Sequence, residues 1–177
     1  MVENFKDVLV LAPHTDDGEL GAGGTISKLI ERGARVTYVA FSTAEQSLPD
    51  GLPKNTLSIE VQVATKVLGI EPKNLHILDY EVRKLNYFRQ ELLEYLISLR
   101  KANNFDLILT PSTYDVHQDH AVVTQEAVRA FKNNTVLGYE LVWNNLKSSS
   151  ECISILEKKH VEIKIESLKK YQSQSMR

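Results

Sequence analysis

The chain has 177 residues, 42% of them hydrophobic and 25% charged, which suits one ordinary globular core and is tight for two. Lys and Arg number 21 against 23 Asp and Glu, a net charge of -2, so there is no basic footprint for nucleic acid or an anionic membrane. The single cysteine, Cys152, excludes an intramolecular disulfide and a cysteine-rich zinc finger, which leaves His and carboxylate as the available metal ligands.

Apolar runs and amphipathic stretches alternate along the chain. Residues 7–12 (DVLVLA) form a β-branched run of the kind seen in strands covered on both faces, ending at Pro13. It is too short for a signal peptide or a membrane span, so a cytoplasmic protein with no membrane span is expected. A helix is predicted over 25–32, closed by Gly33, and a second buried strand over 35–41. A helix over 57–68 capped by Gly69, a short strand over 75–78, a helix over 87–101 and a strand over 105–110 follow. A helix over 118–131, strands over 137–143 and 152–156 and a helix over 158–171 complete the chain. This β-α-β-α order predicts an α/β fold, a Rossmann-like doubly wound, mostly parallel sheet with helices on both faces. With no repeat or linker, residues 1–177 read as one domain.

Ligands in such sheets collect at the carboxyl ends of the strands. After the first strand, PHTDDGELGAGGT brings His14, Asp16 and Asp17 into one short loop before a glycine-rich turn. Imidazole and carboxylate are zinc ligands, and a cation would relieve the repulsion between adjacent carboxylates. The plainer alternative is that Asp16 or Asp17 caps the next helix. A dinucleotide loop fits poorly, because Ile26 stands where the third glycine of G-x-G-x-x-G belongs and the second strand ends in Phe41, Ser42 and Thr43 with no acid.

The fourth strand runs into PSTYDVHQDHAVV, which places His117, Asp119 and His120 at the start of a helix. Here too the plainer reading is a helix cap with solvated histidines. Strands one and four are neighbours in the usual winding order, so the two clusters meet at one sheet edge. Together they exceed the needs of a three-ligand metal site and leave a base and an acid. Tyr114 and Asp115 could reach sugar hydroxyls, although a loop tyrosine is more often a packing residue; Trp143 could stack on a sugar ring but reads rather as a core or subunit contact, His76 as structural and His160 as solvated.

With Pro13, His14, Asp16, Asp17, Gly21, Gly23 and Gly24 matching P-H-x-D-D-x-x-x-G-x-G-G, and His117, Asp119 and His120 matching H-x-D-H, the chain resembles the PIG-L/LmbE-like N-acetylglucosaminyl deacetylases. Glu60, Val67 to Gly69 and the late YQSQ extend the similarity to nearly the whole chain. The resemblance implies zinc, or another divalent ion such as Fe2+, on His14, Asp17 and His120. It implies Asp16 as general base, His117 as the oxyanion-stabilising group and proton donor, and Asp119 as the carboxylate that orients His117. The implied partner is a small N-acetylated sugar or glycoconjugate, with a non-sugar N-acyl amine, or sugar binding without catalysis, as the alternatives. Departures are Gly18 and Glu19 where Glu often follows the aspartates, Thr15 for a common proline, and Leu57 where an Arg often holds substrate. The chain stops soon after YQSQ, which leaves a homo-oligomer as one way to complete the substrate wall.

Overall fold

A computed structural model describes residues 4–148 and 151–174. Its five strands are β1 (Asp7–Ala12), β2 (Arg35–Ala40), β3 (Leu75–Ile77), β4 (Leu107–Pro111) and β5 (Thr135–Tyr139). They form one parallel sheet in the order β3-β2-β1-β4-β5. The helices are α1 (Asp17–Glu31), α2 (Thr56–Leu68), α3 (Arg89–Ala102), α4 (Gln118–Ala130) and α5 (Lys158–Leu168).

Strand periodicity explains the two layers. Val8, Val10 and Ala12 of β1 join Val36, Tyr38 and Ala40 of β2 in a core that includes Ile26, Val61 and Tyr171. Leu9 and Leu11 point the other way, into a core with Leu92 and Leu96 of α3 and Val123 and Ala127 of α4. Helices α1, α2 and α5 therefore cover one face, and α3 and α4 the other. The doubly wound, Rossmann-like expectation is met, and β1 lies between β2 and β4, where the winding direction reverses.

The glycine-rich turn expected before a helix over 25–32 is itself helical: α1 begins at Asp17 and contains those glycines. The reason is contact distance. A Cβ on Gly21 would lie 2.2 Å from Tyr139 Cδ2, one on Gly18 2.6 Å from the Tyr38 ring, and one on Gly24 2.4 Å from Leu156 Cδ1. Gly18 and Gly21 let the helix lie close to the sheet and Gly24 lets Leu156 lie close to the helix, so helix propensity is given up for proximity.

The strand expected over 152–156 is irregular chain. Leu156 approaches Gly24, and the Lys28 ammonium donates to the Ile155 carbonyl at 2.8 Å, so the segment lies across α1 instead of joining the sheet. The strand expected over 137–143 ends at Tyr139, and Trp143 is 68% exposed, so it is not core. His160, expected to be solvated, is buried: its Nδ1 accepts from the Glu157 N–H at the start of α5 and its Nε2 meets Glu31 at 2.7 Å. His76 is half-buried in β3 and shares a hydrogen bond with Tyr95. Among the described residues, no helix is long and apolar enough to cross a membrane.

Gly21→Ala is expected to destabilise the protein by about 1–3 kcal/mol through overpacking against Tyr139. Gly23→Ala, whose Cβ would meet only the Lys164 side chain, at 3.0 Å, is expected to stay within about 1 kcal/mol of the parent. Urea unfolding of the two variants measures the difference.

Candidate metal centre

The loops that leave β1 and β4 meet because the strands pair, Val8 with Leu107 and Val10 with Leu109. The first loop turns sharply: the His14 N–H donates to Asp17 Oδ2 at 2.8 Å, which fixes the relative placement of the two side chains. Asp17 opens α1, and Asp16, at the N-cap, makes no capping hydrogen bond with its side chain. Neither aspartate carboxylate is serving as an ordinary cap.

Three ligand-type atoms converge. Asp17 Oδ2 is 3.2 Å from His14 Nδ1 and 3.2 Å from His120 Nε2, and the two nitrogens are 3.4 Å apart. A tetrahedral zinc ion with ligand distances of about 2.0–2.1 Å requires ligand atoms about 3.3 Å from one another. The triangle has that size. A looser grouping of His14, His117 and His120 also exists, with ligand atoms within 4.8 Å of one another. The Asp17 triangle is tighter, and its two rings each meet a carboxylate through the second nitrogen, whereas His117 Nδ1 accepts the backbone N–H of Asp119 at 3.2 Å.

Each imidazole of the triangle presents one nitrogen and binds a carboxylate with the other. His14 Nε2 is 2.9 Å from Asp119 Oδ2, and His120 Nδ1 is 2.7 Å from Asp115 Oδ2. These contacts fix ring orientation and turn His14 Nδ1 and His120 Nε2 toward Asp17 Oδ2, where they could coordinate an ion. Asp119 itself is fully buried and accepts backbone N–H groups from Arg83 at 2.6 Å and Leu85 at 3.3 Å.

Two sequence expectations change here. The Asp119 carboxylate engages His14, not His117; His117 receives only the backbone N–H of residue 119. Asp115, expected to face substrate, is buried between His120 Nδ1 and the His117 N–H at 2.9 Å. Nothing in the D-x-H-x-x-H spacing signals this pairing, because that spacing has no fixed meaning. The general rule that a ligand histidine has a carboxylate on its other nitrogen could have raised Asp115 to attention.

A second network holds the first loop from below. Tyr38 Oη and Tyr171 Oη both approach the Thr15 carbonyl, at 3.0 and 2.8 Å, and both meet the Glu19 carboxyl, Tyr171 at 2.8 Å from Oε1. Two hydroxyl protons serve four contacts, and a protonated Glu19 supplies a third. Burial drives the Glu19 pKa up to about 8 in spite of both tyrosine hydrogen bonds. The YQSQ segment thus has a structural part: Tyr171 supports the loop, and Ser173 binds Glu60 of α2 through its N–H at 2.9 Å and its hydroxyl at 2.6 Å.

Electrostatics in the metal-free protein favour protons where a cation would sit. Burial acts to lower the His14 pKa but is outweighed by Asp119 and Asp17, which push it up to about 10. Burial of His120 is likewise outweighed, by Asp115 and Asp17, which raise it to about 9. Against its own burial, Asp17 is held well below the usual carboxylate range by His120 and His14. His117 moves down instead, through burial and then repulsion from His120 and His14. With Nδ1 accepting a hydrogen bond, its neutral ring carries the proton on Nε2.

A cleft of about 490 Å³ opens beside the triangle, lined by His14, Asp16 and His117 on the polar side and by Leu57 and Val82 on the apolar side. A buried carboxylate-histidine triangle at the switch point of a doubly wound sheet defines a class: α/β proteins with a side-chain cluster that could hold one divalent cation next to an open cleft.

Comparison with known proteins identifies the member of that class. Residues 9–131 match the family described as PIG-L: GlcNAc-PI de-N-acetylase, and the chain belongs to this family. It is 32% identical over 125 residues to diacetylchitobiose deacetylase of Thermococcus kodakarensis, covering 66% of this chain and 46% of the relative. It is 30% identical to the probable N-acetyl-alpha-D-glucosaminyl L-malate deacetylase 2 of Bacillus anthracis, over 72% of this chain and 59% of the relative. The matches thus span about half the length of these relatives. Among solved structures, N,N'-diacetylchitobiose deacetylase of Pyrococcus horikoshii shares the fold with a TM-score of 0.77 at 23% identity, over 97% of this chain and 71% of the other.

Two outcomes follow. Asp115→Ala should weaken zinc binding about 10–100-fold by releasing the His120 ring, as read by competition with a chromophoric chelator. The pH dependence has a definite sign. Raised His14 and His120 values, about 10 and 9 against an ordinary 6.5, give stability that is full below pH 6.5 and lost on the way to pH 10. Glu19, raised from 4.5 to about 8, acts in the same direction between those values. The melting temperature of the metal-free protein should therefore fall from pH 6.5 to 10, and bound zinc, which displaces the imidazole protons, should flatten the decline.

Proposed function

We propose that this chain, as one deacetylase domain, hydrolyses the acetamide of an N-acetylglucosamine-like sugar or glycoconjugate, releasing acetate and a free amine. The observation that carries the proposal is the triangle of His14 Nδ1, Asp17 Oδ2 and His120 Nε2, with sides of 3.2, 3.2 and 3.4 Å, on a cleft shared by Asp16 and His117. The family and the names of the relatives supply the substrate class. His14, Asp17 and His120 would hold the metal; their nitrogen and carboxylate donors suit zinc, with Fe2+ the alternative.

Bound there, the cation would supply an activated water and polarise the acetyl carbonyl. The residues supply the rest. Asp16, on the cleft wall and not engaged in capping α1, takes the proton of the attacking water. His117 directs its Nε2–H toward the carbonyl oxygen, where negative charge develops, and keeps that proton, because its neutral ring would otherwise become an imidazolate; Asp16 returns the proton it took from water to the departing nitrogen, in place of the expected donation by His117. Asp119 and Asp115 act through His14 and His120 by keeping their rings aligned. This replaces the expectation that Asp119 steadies His117. The compartment inferred from the sequence is the cytoplasm.

A second reading is favoured by the apolar wall, where Leu57 and Val82 are 2% and 7% exposed: the amine carrying the acetyl group need not be a sugar.

The test is acetate release from N-acetylglucosaminides and from N-acetyl amines, using stripped protein with and without added zinc or Fe2+. Activity should require the metal. Asp16→Asn should retain the ion and lose at least about a hundredfold in kcat. Full activity in that variant would remove Asp16 from the reaction, and stoichiometric metal with no acetate from any substrate would overturn the assigned activity.

A further inference from the structure

Arg83 stands out at the cleft in conformation and in charge. Its φ of 67° lies in the left-handed region, where a long side chain is uncommon and Gly or Asn is the ordinary occupant. What holds it there is Asp119, which accepts the Arg83 N–H at 2.6 Å and the Leu85 N–H at 3.3 Å while its Oδ2 also binds His14. The backbone of residue 83 is thereby tied through one buried carboxylate to a proposed metal ligand.

The side chain reaches the cleft wall. Its Nη2 donates to Ser47 Oγ at 3.2 Å, a neutral partner, and Ser47 lines the same cleft. Among the described residues, no carboxylate lies within ion-pair distance of the guanidinium, whereas the neighbouring Lys84 ammonium is paired with Glu81 at 2.7 Å. Among the described residues that line the cleft, Arg83 is the one Lys or Arg and Asp16 the one carboxylate. Leu57, Val82 and Ala44, which line the same cleft, are buried and carry no polar side-chain atom for a charged group.

We propose that Arg83 determines specificity by binding a carboxylate or phosphate that the substrate carries away from its scissile acetamide. A guanidinium fork matches either oxyanion with two parallel hydrogen bonds, and a charge-assisted pair in a partly enclosed cleft is stronger than one between neutral groups. The anchored backbone fixes where the fork starts relative to His14, so the anion and the acetamide are held at a set separation. The proposal rests on the amide-hydrolysis reading above, but the recognition it describes can be measured without turnover.

Arg83→Asn is the informative variant, because Asn accepts the left-handed conformation and keeps the N–H that Asp119 needs. The zinc-loaded protein is titrated calorimetrically with three amine products: methyl glucosaminide, glucosaminyl malate and glucosamine 1-phosphate. Acetate release is followed from the three N-acetylated counterparts. Wild type should bind at least one anionic product about tenfold more tightly than the neutral one. That gap should close to within about threefold in Arg83→Asn and remain in part in Arg83→Lys. The anion showing the larger gap identifies carboxylate or phosphate as the recognised group. An undiminished gap in Arg83→Asn, or no gap in wild type, overturns the assignment. Retained discrimination with no acetate from any substrate leaves Arg83 in place and removes the deacetylase reading instead.

Discussion

One carboxylate oxygen, Asp17 Oδ2, lies 3.2 Å from a nitrogen of each of two imidazoles that come from opposite ends of the matched region, His14 after β1 and His120 in α4. That contact is possible only because β1 and β4 are hydrogen-bonded neighbours, and they are neighbours because the chain reverses its winding at β1. Three groups that each favour a proton or a counter-ion are thus compressed to the spacing of a coordination shell. In the metal-free state the imidazoles answer by holding protons; a divalent cation satisfies the same carboxylates without them.

Much of the remaining architecture reads as support for that triangle. Asp115 and Asp119 lock the two rings, and Asp119 in turn is held by the N–H groups of Arg83 and Leu85, in the chain that follows β3. Thr15, in the middle of the first loop, is held through its carbonyl by tyrosines from β2 and from the segment after α5. The end of the described chain is therefore coupled to the loop at its beginning, and Ser173 ties the same segment to α2 through Glu60. A buried, fully connected polar network of this kind resists rearrangement, which is what a small metal site with fixed geometry requires.

The sequence was most legible where one physical rule acted alone. Strand β1 is apolar on both faces and nothing competes with that signal, so its bounds and its buried position followed directly. The two loop clusters were legible as a pair, because parallel winding brings strands one and four together. Legibility failed where a long-range contact overrode local preference. Helix α1 starts at Asp17 and contains four glycines, of which Gly18 and Gly21 leave space that the sheet side chains Tyr38 and Tyr139 need and Gly24 leaves space for Leu156. Residues 152–156 alternate like a strand but lie across α1, and His160 sits in a charged stretch yet is buried against Glu31. Asp115 and Arg83 were out of reach for a different reason: their partners, His120 and Asp119, are set by loop conformations that no spacing rule encodes.

The most direct test is to locate the ion itself. Crystals of the zinc-loaded protein, measured on both sides of the zinc absorption edge, should give one anomalous peak about 2.0–2.1 Å from His14 Nδ1, Asp17 and His120 Nε2, with the fourth position facing the cleft. A peak coordinated by His117 in place of Asp17, or no peak near these residues at full occupancy elsewhere, would contradict the account.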